Sequence, residues 1–421
     1  MRPEARRRGK GQWKALAGAR RRAGPFRQRG RGGPPDLGLA GRRRSSRGWC
    51  GLRKIAVLGS TGSIGKQALE VIERSPGLEV WSLLCGRNAE LVLRQARKLS
   101  PKVVAVADPR FAPSDVLSGP DSMRACIEGA DMVLNAIVGF AGIRASILCS
   151  KLDVPLALAN KESLVTGGPL LGDFVRRGMI VPVDSEHSTI FRCLAGETKR
   201  PLGLLLTASG GAMRDTPLDE LRLADAAQVL DHPTWSMGAR ITVDSASMVN
   251  KAFEVVEAGW LFGADLEIDV AIHRQSIVHS LVRLADGSWK ALLGAPDMRV
   301  PIQYALQWPE GELYPVLEGD RPTGWEELTF ERVDNHRYPA FETIVSAVVD
   351  DHSYAVAANA ADEVAVEAFL QGRLRFGGVV RVIEETLRRH DPTGLVDLET
   401  IESIDSDSRA VAEEVVRVLC L

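Results

Sequence analysis

The 421-residue chain is poor in the features that would give it an easy label. It has six Cys, at 50, 85, 126, 149, 193 and 420, and no C-x-x-C pair. That spacing builds neither a disulfide framework nor a zinc knuckle, and it fits a reducing compartment, so a cytoplasmic protein is expected. No apolar run reaches the ~18 residues a membrane helix needs; the stretch Met132 to Ile143 is short and interrupted by Asn135. No internal repeat is present, which removes solenoids and propellers. Net charge is also missing, at −1, but this average hides a split. Residues 1–50 hold 16 Lys+Arg against Glu4 and Asp36, leaving 37 of the 53 basic residues and 52 of the 54 acids for the remainder. A body with a net charge of −15 is no default partner for nucleic acid or an anionic membrane.

What is present is 45% hydrophobic and 25% charged, the make-up of a globular protein, and long enough for two or three domains. The Gly/Arg/Pro-rich head, 1–52, lacks apolar periodicity and reads as a disordered extension. Plastid-type targeting is a lesser reading, since the head is Arg-rich and acid-poor but has few Ser; an RNA- or membrane-touching arm is another. From Lys54 the chain alternates. Strands are predicted at 54–59, 78–85, 103–106, 132–137, 154–159 and 180–183, with helices over 63–74 and 89–99. Such alternation predicts a Rossmann-like, doubly wound parallel sheet over 53–183. Strands at 203–207, 270–271, 277–284 and 289–293, set among Gly/Pro-rich loops, predict an α+β domain over 184–310 with a lid at 209–239. The stretch 311–339 reads as a connector. The Ala/Glu/Val/Leu-rich segment 340–421 reads as a helical bundle with breaks at Gly377-Gly378 and Pro392.

Chemistry first shows at Gly59-Ser60-Thr61-Gly62-Ser63-Ile64-Gly65, between the first strand and first helix. Glycines there permit a tight turn and close approach to a pyrophosphate, and the helix N-terminus offers free N–H donors. The spacing is G-x-x-G-x-x-G, so the turn fits either a dinucleotide or a tight turn in a flavodoxin-like domain. The second strand ends in Gly86-Arg87-Asn88, where an NAD enzyme usually carries an acid for the ribose hydroxyls. Arg87 can pair with a 2′-phosphate, which points to NADP(H), or it is a plain surface charge.

Downstream, Asp184 and Glu186 flank Ser185 at the end of a predicted strand. In extended chain, i and i+2 point the same way, so the two carboxylates should converge on a hard cation, or else form a solvated acidic loop. His187 reads as a structural neighbour. Asn250, Lys251 and Glu254 share a predicted helix, with 250 and 254 one turn apart. Three carboxylates, Asp184, Glu186 and Glu254, favour Mg²⁺ or Mn²⁺ over zinc. Thr207 to Gly211, with Ser209, suits a phosphate oxygen. The loop 231–238, with Pro, Trp and Met, is either core packing or a lid.

Taken together these segments resemble one family, the 1-deoxy-D-xylulose 5-phosphate reductoisomerases. The matching pieces are GSTGSIG at 59–65, ANKES at 159–163, VDSEHS at 183–188, TASGGAMRDTP at 207–217 and HPTWSMGARITVDSASMVNKAFEVVEA at 232–258. QSIVHSLVRLADGS at 275–288, GAPDMRVPI at 294–302, LTFE at 328–331 and ANAADEVAVEAF at 358–369 follow in the family's order. The resemblance implies a homodimeric enzyme that rearranges a small sugar phosphate and reduces it with NADPH, early in isoprenoid precursor synthesis. It implies that Asp184, Glu186 and Glu254 hold the metal. Lys161, Ser185, Glu186, Ser209, His232, Trp235, Ser245, Asn250, Lys251 and Glu254 would hold the substrate, with Lys161, Glu186 and His232 nearest the chemistry. Thr61, Gly62, Ser63, Ile64, Gly86, Arg87, Asn88, Asn160, Glu162 and Gly238 would bind NADPH, and Met237 would pack near the nicotinamide. Ala208 and Asp362 depart from the family's usual Gly and Asn; neither is an implied ligand.

Other classes compete on the residues alone. A related metal-dependent NADP oxidoreductase of another phosphorylated sugar would look much the same. A semialdehyde dehydrogenase wants an activated Cys, and Cys149 and Cys193 have no evident activating partner. A homoserine dehydrogenase needs no cage of three carboxylates, and a nucleotide-sensing module would not keep the full metal and phosphate set.

Overall fold

The computed structural model describes residues 52–231, 238–317 and 322–420. The basic head up to residue 51 and the lid residues His232, Trp235 and Met237 lie outside the described residues. Among the described residues no helix is long and apolar enough to cross a membrane.

Seven strands form the first sheet: β1 (Arg53–Leu58), β2 (Leu78–Cys85), β3 (Val103–Val106), β4 (Leu117–Ser118), β5 (Met132–Asn135), β6 (Leu156–Leu158) and β7 (Ile180–Pro182). They pair in the order β4-β3-β2-β1-β5-β6-β7, all parallel. Ile55 to Leu58 and Met132 to Asn135 are buried on both faces, which is why these central strands read as unbroken apolar runs. The intervening helices are α1 (Ser63–Arg74), α2 (Ala89–Leu99), α3 (Ser122–Ile127), α4 (Ile143–Leu152) and α5 (Glu162–Arg176). Strand order reverses between β1 and β5, so a crevice opens past their carboxyl ends.

The second unit contains α6 (Ser185–Leu194), β8 (Gly203–Ala208), α7 (Leu218–Leu223), α8 (Ala226–Val229), α9 (Ala239–Ser247), α10 (Val249–Phe262), β9 (Glu267–Ile272), β10 (Val278–Arg283), β11 (Trp289–Leu293), α11 (Arg299–Gln307) and β12 (Glu331–Arg332). Its sheet runs β11-β10-β8-β9-β12, with β8 and β9 parallel and the other pairs antiparallel. The stretch read as a connector thus supplies an edge strand, β12. The C-terminal helices are α12 (Pro339–Asp350), α13 (Ser353–Leu370), α14 (Phe376–Arg389) and α15 (Leu398–Leu419).

One expected break moves. Gly377 and Gly378 lie in the first turn of α14, and the interruption falls at 371–375. The glycines serve close packing instead: a Cβ on Gly377 would sit 3.1 Å from the Arg222 carbonyl oxygen, where α14 meets the end of α7. Phe376 N–H donates to the Ala224 carbonyl at the same seam, 3.1 Å.

Helices α5 and α10 bring the site together. Gly168 and Gly172 of α5 leave room for Trp260 of α10; a Cβ on Gly168 would fall 2.1 Å from the indole Nε1. This close crossing sets the start of α5, with Lys161, against the start of α10, with Asn250 and Glu254.

Candidate active site

A cleft of about 320 Å³ opens at the strand-order reversal and runs into the second unit. One wall is the turn after β1. Gly59 has φ +87°, and a Cβ there would meet the Ala136 carbonyl oxygen after β5 at 2.3 Å. A Cβ on Gly65 would meet the Gly59 carbonyl oxygen at 2.3 Å. The two glycines therefore let α1 and the β5 loop close on the turn, which is what a buried pyrophosphate seat requires. No side chain caps α1, so first-turn N–H groups remain available to an anion. Gly62, Ser63 and Ile64 line the cleft. The donor set and the shape of this turn fit a dinucleotide.

Farther out, Gly86, Arg87 and Asn88 follow β2, and with Thr61 they lie beyond the cleft lining. Asn88 caps α2, its Oδ1 accepting from Leu91 N at 3.1 Å. The Arg87 side chain is 72% exposed, near Asp108 at 3.7 Å and over the ring of Phe111. Asp108 is held bidentately by Arg110, 2.9 and 2.7 Å, which keeps its carboxyl down at about 2. Arg87 thus lies at the surface beside Asp108, outside the cleft lining.

The middle of the cleft is tied down by amides. Asn160 is buried; its Nδ2 donates to the Ile137 and Gly139 carbonyls and to Glu162 Oε2, at 2.8, 2.9 and 2.8 Å. Its Oδ1 accepts from Ser163, which continues to Ser146 and Asn135. A Cβ on Gly142 would strike the Asn160 amide at 2.4 Å. Asn160 is therefore a keystone of the β5 and β6 ends as well as a cleft residue.

The far wall is buried charge. The extended i, i+2 arrangement expected for Asp184 and Glu186 does not occur. β7 stops at Pro182, Asp184 is the N-cap of α6, and Ser185 and Glu186 occupy its first turn. The strand is only three residues long and the chain turns straight into helix; the Asp184 side chain makes no capping bond there and pairs with Lys161 instead. All three still face the cleft. Lys161 Nζ lies 2.5 Å from Asp184, 2.7 Å from Asn250 Oδ1 and 3.1 Å from Glu254. Lys251 Nζ pairs with Glu254 and, at 3.1 Å, with Glu186. Asn250 Nδ2 donates to Glu254 Oε1 at 2.5 Å, and Ser185 Oγ to Glu186 Oε2 at 2.5 Å.

Burial opposes charge on Lys161, but Asp184 and Glu254 overcome it and hold the ammonium well above its ordinary range. Burial likewise pushes against the Asp184 carboxylate, and Lys161 keeps it below the usual range. Glu186 goes the other way, up to about 8, through burial and the neighbouring Glu254 charge.

Oxygen atoms dominate this wall, and Asp184 and Glu254 lie close enough to share one cation, with Lys161 Nζ between them. His187 also approaches within 4.8 Å, but it does not line the cleft, and its Nε2 is 3.0 Å from the Glu254 carbonyl oxygen. Glu186 faces the cleft beside this group but is not a member of it. A hard divalent cation fits this set.

At the end of the cleft, Ser209 and Ser245 face each other, Oγ to Oγ 3.5 Å, and Gly211 N donates to Ser209 at 3.2 Å. Ala208, the last residue of β8, needs no positive φ. Met248, at φ +62°, breaks the chain between α9 and α10 and so turns Ser245 and Asn250 into one cavity. Gly238 lines the cleft at the lid's edge. The sequence reasoning missed Arg240, Asp244, His273, Ser276, His279 and Met298, which also line it. Only Arg240 and Asp244, one helical turn apart, carried a readable signal. The described cysteines 85, 126, 149 and 193 are buried and Cys420 is exposed; burial pushes the Cys149 thiol up to about 12, which rules against a thiolate nucleophile there.

A Rossmann-like sheet whose phosphate turn opens onto a buried cluster of carboxylates and lysines defines a dinucleotide-dependent oxidoreductase. The comparisons narrow the class. Family models described as 1-deoxy-D-xylulose 5-phosphate reductoisomerase match residues 55–168, its C-terminal domain 180–262, and the DXP reductoisomerase C-terminal domain 293–411. The 1-deoxy-D-xylulose 5-phosphate reductoisomerase of Bacteroides thetaiotaomicron is 42% identical over 381 residues, covering 86% of this chain and 97% of its own. That of Gloeobacter violaceus is 44% identical over 377 residues, covering 85% and 96%. Among solved structures, the Zymomonas mobilis enzyme in complex with NADPH matches with a TM-score of 0.78 at 34% identity, covering 87% of this chain and 99% of that one. A DOX-P reductoisomerase in complex with NADPH, fosmidomycin and magnesium matches with a TM-score of 0.81 at 31% identity, with the same coverage. This chain belongs to the 1-deoxy-D-xylulose 5-phosphate reductoisomerase family.

Proposed function

We propose that the chain converts 1-deoxy-D-xylulose 5-phosphate and NADPH to 2-C-methyl-D-erythritol 4-phosphate with Mg²⁺ or Mn²⁺, an early step toward isoprenoid precursors. The observation that carries this reading is the convergence of Lys161, Asp184, Glu186, Asn250, Lys251 and Glu254 in one cleft with the Gly59–Gly65 turn.

In this reading Asp184, Glu186 and Glu254 hold the metal. When bound, the cation supplies positive charge to the substrate's ketone and neighbouring hydroxyl, and NADPH supplies the reducing equivalents. Lys161, beside Asp184 and Glu254, is placed to stabilise negative charge on the reacting oxygens. Ser185, Glu186, Asn250 and Lys251 orient the hydroxyls. Ser209, Ser245, Asn250 and Lys251 grip the phosphate, a remote anchor that places the reacting carbons. Gly62, Ser63 and Ile64 seat the pyrophosphate, Arg87 selects the 2′-phosphate, and Asn160, Glu162 and Gly238 frame the nicotinamide end. His232 and Trp235 cover the substrate.

The parts divide as a cofactor domain over 53–183, a catalytic domain over 184–310 with a lid at 209–239, a connector over 311–339 that also lends β12 to the catalytic sheet, and a helical domain over 340–421. The chain acts as a cytoplasmic homodimer; the bacterial relatives support the compartment, and sizing in solution tests the dimer.

The direct test is absorbance of NADPH on mixing purified chain, Mg²⁺ or Mn²⁺ and 1-deoxy-D-xylulose 5-phosphate. Substrate-dependent oxidation is expected; its absence with a folded, NADPH-binding protein would overturn the reading.

A further inference from the structure

Arg240 sits in the first turn of α9, two residues past Gly238, and its guanidinium meets carboxylates from three helices. It lies 3.2 Å from Glu162 at the head of α5, 3.6 Å from Asp244 one turn along, and 3.2 and 2.9 Å from Asp362 and Glu363 of α13. Its Nη2 also donates to Asn359 Oδ1 at 3.2 Å. Glu363 passes the connection on: its Oε2 accepts from Arg409 of α15 at 2.5 Å, and Arg409 Nε donates to Asp405 at 2.7 Å.

The inner end of this network touches the cofactor wall twice. Glu162 has both oxygens committed, one to Asn160 Nδ2 at 2.8 Å and the other to Arg240. Glu363 Oε1 accepts from Phe140 N at 2.8 Å. A Cβ on Gly139 would fall 2.6 Å from Glu363 Oε1 and 3.0 Å from Arg240 Nη1. The loop holding Ile137 and Val138, which line the cleft, is therefore pressed directly onto the arginine and its partner.

Five acids and two arginines are a poor way to gain stability, because desolvation consumes most of the attraction; apolar residues of the same volume would do as well. What a planar, forked donor gives is fixed geometry. Burial opposes ionisation within the cluster, holding Asp244 well above the usual carboxylate range and raising Asp362 to about 6, which brings the charges nearer to balance.

We propose that Arg240 is a positioning residue through which α13 and α15 hold Glu162 and the 137–140 loop in the arrangement that receives the nicotinamide end of NADPH. The inference rests on the reading that NADPH lies along this wall. It makes the C-terminal helices part of cofactor binding, although none of their residues lines the cleft.

The test uses the full chain with Arg240→Lys, which keeps the charge and loses the fork, and Arg409→Gln, which removes the outer link. NADPH affinity is read by fluorescence titration without substrate or metal, beside KM for NADPH, KM for the sugar phosphate, and Tm. Arg240→Lys should weaken NADPH binding about tenfold, the worth of one charge-assisted hydrogen bond, with KM for the sugar phosphate little changed. Arg409→Gln should weaken NADPH binding in the same direction by about threefold, and the double variant should fall short of the product of the two effects. Unchanged NADPH affinity in both folded variants would overturn the proposal. So would losses in NADPH affinity, sugar-phosphate KM and Tm that move together. A wild-type chain that binds NADPH without turnover would fail the functional reading and leave this one standing on the titration.

Discussion

The two walls of the cleft are made of opposite materials. The β1–α1 wall works through backbone: glycines, open N–H groups and the end of a helix, with Arg87 as an outlying charge. The α6–α10 wall works through side chains: three carboxylates and two ammonium groups packed within hydrogen-bond distance and nearly removed from water. A backbone wall tolerates the loss of side-chain atoms and fails when atoms are added. A charged wall fails when a single charge is removed, because every remaining ion is left buried with too few partners.

The strongest attack on the comparison is Glu254→Gln. Glu254 accepts from Lys161, Asn250 and Lys251, and the amide turns an NH₂ toward those donors. We expect a loss of ~10³-fold in kcat and a raised metal requirement, with NADPH titration nearly unchanged. Steady-state assays across metal concentration check it; wild-type metal dependence would show that the acids work independently of a cation. Gly65→Ala should do the converse. The added methyl meets the Gly59 carbonyl oxygen, so NADPH binding should fall sharply and stability by ~1–3 kcal/mol, read by fluorescence titration and urea melts. Arg87→Asp tests the outlying charge: the NADPH preference over NADH should drop by at least about tenfold, with Tm unmoved because the side chain is exposed.

The smallest effect concerns Asp362. Burial raises its folded pKa to about 6, above the ordinary 3.8, so between those pH values the native state binds more protons than the unfolded chain. Stability contributed by this group is present at low pH and lost as pH rises through about 6. Asp362→Asn should flatten that fall in Tm, and an unchanged pH profile would place the proton elsewhere in the Arg240 cluster.

Local order was readable where local rules decide it. The helices over Ser63–Arg74 and Ala89–Leu99 and the strands over Leu78–Cys85, Val103–Val106 and Trp289–Leu293 follow from hydrophobic period, helped at Ala89–Leu99 by the Asn88 cap, and the Gly-rich turn from its glycines. The chain from Asp184 was misread because β7 is only three residues long, too short for alternation to be told from a helix start. The expected break at Gly377 and Gly378 does not form because Gly377 is needed for close packing on Arg222, a partner distant in sequence. In the site, Asn250 and Glu254 were visible as a helical pair and Lys161 only through family resemblance. The Arg240 cluster was almost entirely hidden. Its members come from α5, α9, α13 and α15; helical spacing links Arg240 with Asp244, Asn359 with Glu363 and Asp405 with Arg409, but nothing in the sequence joins those pairs to one another or to Glu162.

The buried cysteines give the molecule a built-in stopwatch. Cys85 and Cys126 belong to the first sheet and its cover, Cys149 to α4 and Cys193 to α6, all enclosed, while Cys420 faces solvent. Burial pushes the Cys85 and Cys126 thiols up to about 11 and about 12, so reaction with an alkylating reagent requires the surrounding core to open. Mass spectrometry of timed alkylation then dates the opening of each layer separately, with Cys420 as the zero of the clock.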